Sequence, residues 1–220
     1  AERQDYFLKK GIVVILSSVE TLNVFNDKWL SYQAFLAVGL PAPQASLMDL
    51  YQVVKPRIGR GGAGVKLLSA QDQINYSLPH GYLSQVKATG IEYTVDCLFN
   101  SHGEMLYCVP RKRLAVKEGK STSGIVDVNK NIVCAIKKLA ATYTFRGAIN
   151  VQCFVDCNQL NFIEVNARFG GGSSLGMAAT ENWLPLLIDD FVFNQPVKAN
   201  SGVKNGLKMY RQYKDVFNES

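Results

Sequence analysis

The chain has 220 residues, enough for one large domain or two small lobes around a sizeable core. A hydrophobic fraction of 47% with 19% charged residues excludes a disordered chain, and a net charge of +6 fits either a mildly basic enzyme or a site for polyanions. The dense basic run RKRLAVKEGK, residues 111–120, is broken by apolar residues and by Glu118, which argues against nucleic acid and suits a nucleotide triphosphate equally well.

In chain order, YFLKKGIVVILSS predicts a helix end, a turn at Gly11 and a buried strand of the parallel type. The apolar run at 11–19 is far shorter than the roughly 20 residues of a membrane helix, and no signal-peptide cleavage pattern follows it. A buried strand needs neighbours, and little precedes it, so residues 1–26 read as the tail of an N-terminal α/β domain. DKWLSYQAFLAVGLPAP, residues 27–43, predicts a helix capped by Asp27 and stopped at Gly39, with Pro41 and Pro43 forbidding its continuation. A β run then reaches Lys55-Pro56, a glycine loop follows, and Val65 to Leu68 resumes as strand. Residues 81–116 read as strand, short linker, strand, turn at His102-Gly103, strand. The spacing of Ile132, Ile136, Leu139 and Tyr143, with Lys137 and Lys138 opposite, predicts an amphipathic helix over 131–145. AINVQCFVD and LNFIEVNAR form a hairpin around Asn158-Gln159, and residues 183–193 form a last helix. The cysteines (97, 108, 134, 153 and 157) are odd in number and fit no zinc spacing, so they read as reduced, mostly buried side chains of a cytoplasmic protein.

Two stretches carry chemistry. KPRIGRGGAG offers unhindered backbone N–H groups that can fold over phosphates. It is neither a P-loop, lacking the closing Lys and Ser/Thr, nor a dinucleotide fingerprint, and taken alone it reads equally well as a flexible hairpin turn. Lys55, placed in a strand beside that loop, needs an anionic partner, which a phosphate would supply. The second stretch is NFIEVNARFGGGSSLG, residues 161–176. Alternation points Ile163, Val165 and Ala167 one way and Glu164, Asn166 and Arg168 the other. Glu164 and Asn166 are hard oxygen donors suited to magnesium, and Arg168 could hold a phosphoryl group. Gln152 on the preceding strand joins that face only if the turn has an odd length, with Cys157 opposite Asn161; a two-residue turn at Asn158-Gln159 puts it on the wrong face.

The order of these motifs resembles the ATP-grasp superfamily, nearest to the carbamoyl phosphate synthetase large chain and related carboxylate–amine ligases. The resemblance runs from about Asp27 to about Asp215, on DK at 27–28, GLPAP at 39–43, VVKPRIGRGGAGV at 53–65, GIEYTVD at 90–96, NVQ at 150–152 and FIEVNARFGGGSSL at 162–175. It implies an α+β, ATP-grasp fold of two α+β lobes with ATP between them: a small lobe over 27–85 carrying the lid, and a large lobe over 86–220 carrying the metal site. Lys55 then contacts ATP phosphates, and Gly61, Gly62, Ala63 and Gly64 form the phosphate lid. Gln85 lies in the hinge, where backbone groups of Val86 and Ala88 read the adenine edge, and Glu92 binds the ribose hydroxyls. Gln152, Glu164 and Asn166 match the magnesium ligands and Arg168 the arginine beside the γ-phosphate. Arg111 and Arg113 resemble arginines that face the phosphates or the carboxylate substrate. The glycines after Arg168 would let the backbone approach a bound acceptor.

The pattern departs from the family in three places. Val86 stands where an acidic hinge residue is usual, the stretch from Pro43 to Lys55 is short, and of the N-terminal domain with which members help bind the acceptor, residues 1–26 read as only the tail. The implied cofactors are ATP and Mg²⁺, with Mn²⁺ as a substitute, and the implied partners are a carboxylate, an amine and a second copy in a homodimer, with neither nucleic acid nor membrane. The implied reaction is phosphorylation of the carboxylate to an acylphosphate followed by attack of the amine. A competing reading is a nucleotide-binding regulatory or scaffold module without ligase activity; the row of metal ligands argues against it.

Overall fold

The computed structural model describes residues 3–59, 62–117, 120–212 and 217. In chain order the elements are α1 (Gln4–Leu8), α2 (Val19–Asn26), α3 (Lys28–Ala37), β1 (Ala45–Ser46), β2 (Val53–Pro56), β3 (Lys66–Leu67), α4 (Ala70–Ile74), β4 (Tyr82–Gln85), β5 (Ile91–Phe99), β6 (Met105–Lys117), β7 (Lys120–Val126), α5 (Lys130–Ala140), β8 (Gly147–Asp156), β9 (Gln159–Asn166), α6 (Ser173–Ala179), α7 (Trp183–Phe191) and β10 (Lys208–Tyr210). The strands make two antiparallel sheets. The smaller has the order β1-β4-β2-β3 and the larger β10-β7-β6-β5-β8-β9.

Alternation along the large sheet gives it two different faces. Tyr93, Val95, Cys97 and Phe99 of β5 and Val151 and Cys153 of β8 point to a core shared with Phe25 of α2, Phe35 of α3 and Ile132, Ile136 and Leu139 of α5. On the opposite face, Leu98, Tyr107 and Val109 pack under Leu175 of α6 and Trp183 and Leu187 of α7. Trp183 is fully buried and stacks on Tyr107, with ring centroids 6.0 Å apart. The α6–α7 layer covers only one end of that face; the other end faces the small sheet. The helix expected to open the small lobe, α3, therefore has its apolar side in the core of the larger sheet.

Helix α3 starts as its sequence predicts: Asp27 accepts the Trp29 N–H at 2.8 Å, and Gly39 follows the last turn with φ +65°. The same Asp27 carboxylate pairs with Arg57 just beyond β2, tying α3 to the end of the small sheet. Helix α5 stops at Ala140, short of the expected end, and Tyr143 packs edge-on against Phe25 from the loop beyond.

The expected strand within 11–19 is absent. After the turn at Gly11 the chain runs without ladder partners as far as α2, and Ile12 is 51% exposed. Ser17 and Ser18 bond instead to the backbone of Arg146 and Thr144, and Ile15 packs against Gly147, so tertiary contacts take the place of sheet pairing. Elements that sequence patterning did not reveal are the short or polar ones: α2, whose Ser18 cap accepts the Thr21 N–H, α4, β1, β7, α6 and β10. Among the described residues no helix is long and apolar enough to cross a membrane.

Candidate active site

The two sheets enclose a cavity of about 890 Å³. Lys28, Lys55, Lys87, Arg111, Arg113 and Arg168 line it, and Glu164 is the one carboxylate lining it among the described residues. A concave site with this balance of charge draws in a polyanion.

Lys55 projects from β2, the central region of the small sheet. It is 5% exposed, and its Nζ donates to Gln85 Oε1 at 2.7 Å, while Gln85 Nε2 donates to the Pro43 carbonyl at 3.2 Å. Burial pushes the Lys55 ammonium down to about 8; the Glu164 carboxylate across the cavity pulls it up and Lys28 pushes it further down. The cation is thus held in place by a neutral amide, leaving its charge largely uncompensated.

The ExNxR strand lies opposite, in β9, and its register comes from two features acting together. Asp156 pairs with Gln159, so the turn has two residues, Cys157 and Asn158, both at positive φ (45° and 68°). This is neither the odd-length turn, with Cys157 opposite Asn161, on which the placing of Gln152 depended nor a two-residue turn at Asn158-Gln159. An unbroken ladder from that turn would place Gln152 opposite Ile163. Instead Cys153 pairs with Phe162 and Gln152 with Glu164, so Ile163 is bulged out of the ladder. The bulge supplies the extra residue that the turn lacks. It also reverses the expected side of Ile163, which lines the cavity beside Glu164, while Phe162 and Val165 both enter the core. Gln152 and Glu164 are direct partners, as are Asn150 and Asn166. Asn166 Nδ2 donates to Glu164 Oε1, and Arg168 Nη2 to Asn166 Oδ1, both at 3.0 Å. Gln152, Glu164 and Asn166 bring side-chain oxygens to one wall of the cavity. Such a donor set fits a hard divalent cation.

Arg111, on β6, is 2% exposed. Its Nε donates to Asp96 Oδ2 at 2.6 Å. Asp96 also accepts from Asn150 Nδ2 at 2.6 Å and from Ser173 Oγ at 2.9 Å. The glycine run fits around this cluster: a Cβ on Gly172 would lie 2.8 Å from Arg111 Nη2, and one on Gly170 2.4 Å from Asn150 Nδ2. Close contact with protein side chains thus requires glycine at these two positions, and Gly170, Gly171 and Gly172 also line the cavity. Arg113 donates to Glu92, which does not line the cavity.

The remaining expected site residues divide. Gly62, Ala63, Gln85, Val86 and Ala88 line the cavity. Gly64 packs away from the cavity lining, at φ +75°, where a Cβ would crowd Tyr82 Oη and Pro56, and Gly61 lies outside the described residues. The Val86 N–H donates to the Gln44 carbonyl at 2.8 Å, so that donor is already taken within the protein. The sequence reading missed Lys28, Asp96, Asn150 and Ser173. Period-two alternation could have found two of them, since Asp96 follows Glu92 and Thr94 on one face of β5 and Asn150 precedes Gln152 on β8.

A family model described as "ATP-grasp in the biosynthetic pathway with Ter operon" matches residues 85–213. The chain is 26% identical over 193 residues to the arginine-specific large chain of carbamoyl phosphate synthase from Bacillus subtilis (strain 168), a match covering 73% of this chain and 18% of that protein. Among solved structures it is similar to N5-carboxyaminoimidazole synthetase from Staphylococcus aureus, complexed with ADP, with a TM-score of 0.71 at 13% identity over 92% of this chain and 60% of that one. It is also similar to biotin carboxylase from Campylobacter jejuni, in a β-γ-ATP complex, with a TM-score of 0.70 at 15% identity over 93% and 54% of the two chains. The chain thus spans about a fifth of the curated relative and rather over half of these solved ones.

Proposed function

This chain belongs to the ATP-grasp family, and we propose that it is an ATP- and Mg²⁺-dependent ligase that activates a carboxylate as an acylphosphate for attack by an amine. The observation that carries this reading is the facing of Lys55 and the Glu164–Asn166–Arg168 row across one cavity, with Gly62 and Ala63 of the glycine loop in its wall.

In this reading the triphosphate lies between the sheets, with Lys55 and Arg168 on its phosphates and the backbone of Val86 and Ala88 toward the base. Gln152, Glu164 and Asn166 would hold the cation, which would supply charge neutralisation at the phosphates. The substrate carboxylate attacks the γ-phosphorus, ADP leaves, and the amine then displaces phosphate from the acylphosphate. The protein contributes position and charge: Lys55 and Arg168 meet the charge that builds on the transferred group. The loop with Gly62 and Ala63 keeps water from the acylphosphate.

Thermal melting with and without Mg-ATP tests nucleotide binding, because a ligand specific to the folded state raises Tm. Release of ADP and phosphate stimulated by members of a carboxylate and amine panel tests the ligase step. Binding without any stimulated turnover would favour a nucleotide-binding regulatory or scaffold module.

A further inference from the structure

Asp96 is an unusual residue to find behind a nucleotide cavity. It is completely buried, yet it does not line the cavity. Its carboxylate gathers donors from three other elements: Arg111 of β6, Asn150 of β8 and Ser173 of α6. Arg111 is bound through Nε at 2.6 Å and Nη2 at 3.5 Å, so one edge of the guanidinium is committed to Asp96. Gly172 closes against the guanidinium on another side, within 2.8–2.9 Å of a hypothetical Cβ. Nη1 alone among the arginine's nitrogens has no partner among the described residues, although it is buried, and Arg111 lines the cavity. A buried N–H of a charged group without an acceptor costs free energy unless a ligand supplies the acceptor.

The geometry points to Asp96 as a positioning residue that presents Arg111 Nη1 to an oxyanion of the bound substrates. This rests on the nucleotide reading above. Asp96 fixes the plane of the guanidinium, and the remaining edge receives the anion as a charge-assisted hydrogen bond. The shared chemistry is an anionic oxygen, supplied either by the γ-phosphoryl group of ATP or by the carboxylate substrate.

The test uses Asp96→Asn, Arg111→Met, the double variant, and Gly172→Ala, which pushes a methyl group against the guanidinium without changing any charge. Binding of Mg-ADP, Mg-AMP-PNP, and acetate or bicarbonate in the presence of Mg-ADP is measured by calorimetry. If the γ-phosphoryl group is the ligand, Asp96→Asn and Gly172→Ala bind Mg-AMP-PNP about tenfold more weakly or worse but keep the parent's affinity for Mg-ADP. If the carboxylate is the ligand, both nucleotides bind as in the parent and the affinity for acetate or bicarbonate falls. In either case Asp96→Asn adds nothing in the Arg111→Met background, because the aspartate acts through the arginine. Unchanged affinities for all probes would overturn the proposal, and so would a loss of Mg-ADP affinity equal to that of the other probes, which marks a merely structural role. Failure of the parent itself to bind Mg-ADP would instead overturn the nucleotide reading.

Discussion

Gln152 stands directly opposite Glu164 because Ile163, one residue earlier, is bulged out of the β8–β9 ladder. A two-residue turn and a one-residue bulge together set the register that puts Gln152, Glu164 and Asn166 on one wall. Each feature alone would turn the carboxylate into the core, and that coupling makes the hairpin a good place to test the structure.

The turn residues Cys157 and Asn158 both adopt positive φ, the combination that favours Asn-Gly in a two-residue hairpin. Cys157→Asn with Asn158→Gly is expected to raise stability by about 0.5–1 kcal/mol without moving the register. Urea denaturation reads the gain, and an unchanged response to Mg-ATP reads the register.

Glu164 is the sole carboxylate in the cavity lining among the described residues. Glu164→Gln keeps the shape and removes the charge. It should raise the apparent Kd for Mg²⁺ in the presence of ATP about tenfold or more, while ATP binding in EDTA changes little or strengthens, since the carboxylate no longer repels the phosphates. Titration of Mg²⁺ into the ATP-loaded parent and variant checks this. An unchanged Mg²⁺ dependence would remove Glu164 from the ligand set.

Lys55 has a folded pKa of about 8, against 10.5 for an ordinary lysine, with burial as the main cause. The folded state therefore carries the cost of a buried cation below pH 8, and that cost is relieved as pH rises from about 8 to 10.5. Relative to Lys55→Met, the unliganded parent should gain stability over that window and be the less stable of the two at pH 7. Parallel melts of the two proteins across the window give the difference. Mg-ATP should reverse the order at pH 7, because the phosphates supply the missing counter-charge.

Asp27 caps α3 and pairs with Arg57. Burial pushes its carboxyl pKa up, but the bonds from Arg57 and the Trp29 N–H outweigh this and hold it below the usual 3.8. Its contribution is complete above that value and is lost as pH falls through the lower, folded one. Asp27→Ala should cost about 1–2 kcal/mol at pH 7, and Asp27→Asn less, because asparagine still caps. Both losses should shrink in melts below pH 3.8.

The residues of the cavity wall were legible because β-strand alternation and glycine runs are local properties. Lys55 at a strand end, the ExNxR face and the capped helix at Asp27 could each be read from a dozen neighbouring residues. The motifs together carried the family. The sequence did not reveal that the 11–19 run forms no ladder, because a strand exists only where another strand offers its backbone, and here the loop before β8 and its first residue, Gly147, took that place. Nor could it reveal the bulge at Ile163. Turn length and ladder slippage trade against each other, and only burial of both Phe162 and Val165 in one core settles the trade. Asp96 and the glycines at 170 and 172 belong to the same class. Their partners lie 15 to 77 residues away in sequence, so their meaning was decided when the sheet and α6 closed over Arg111.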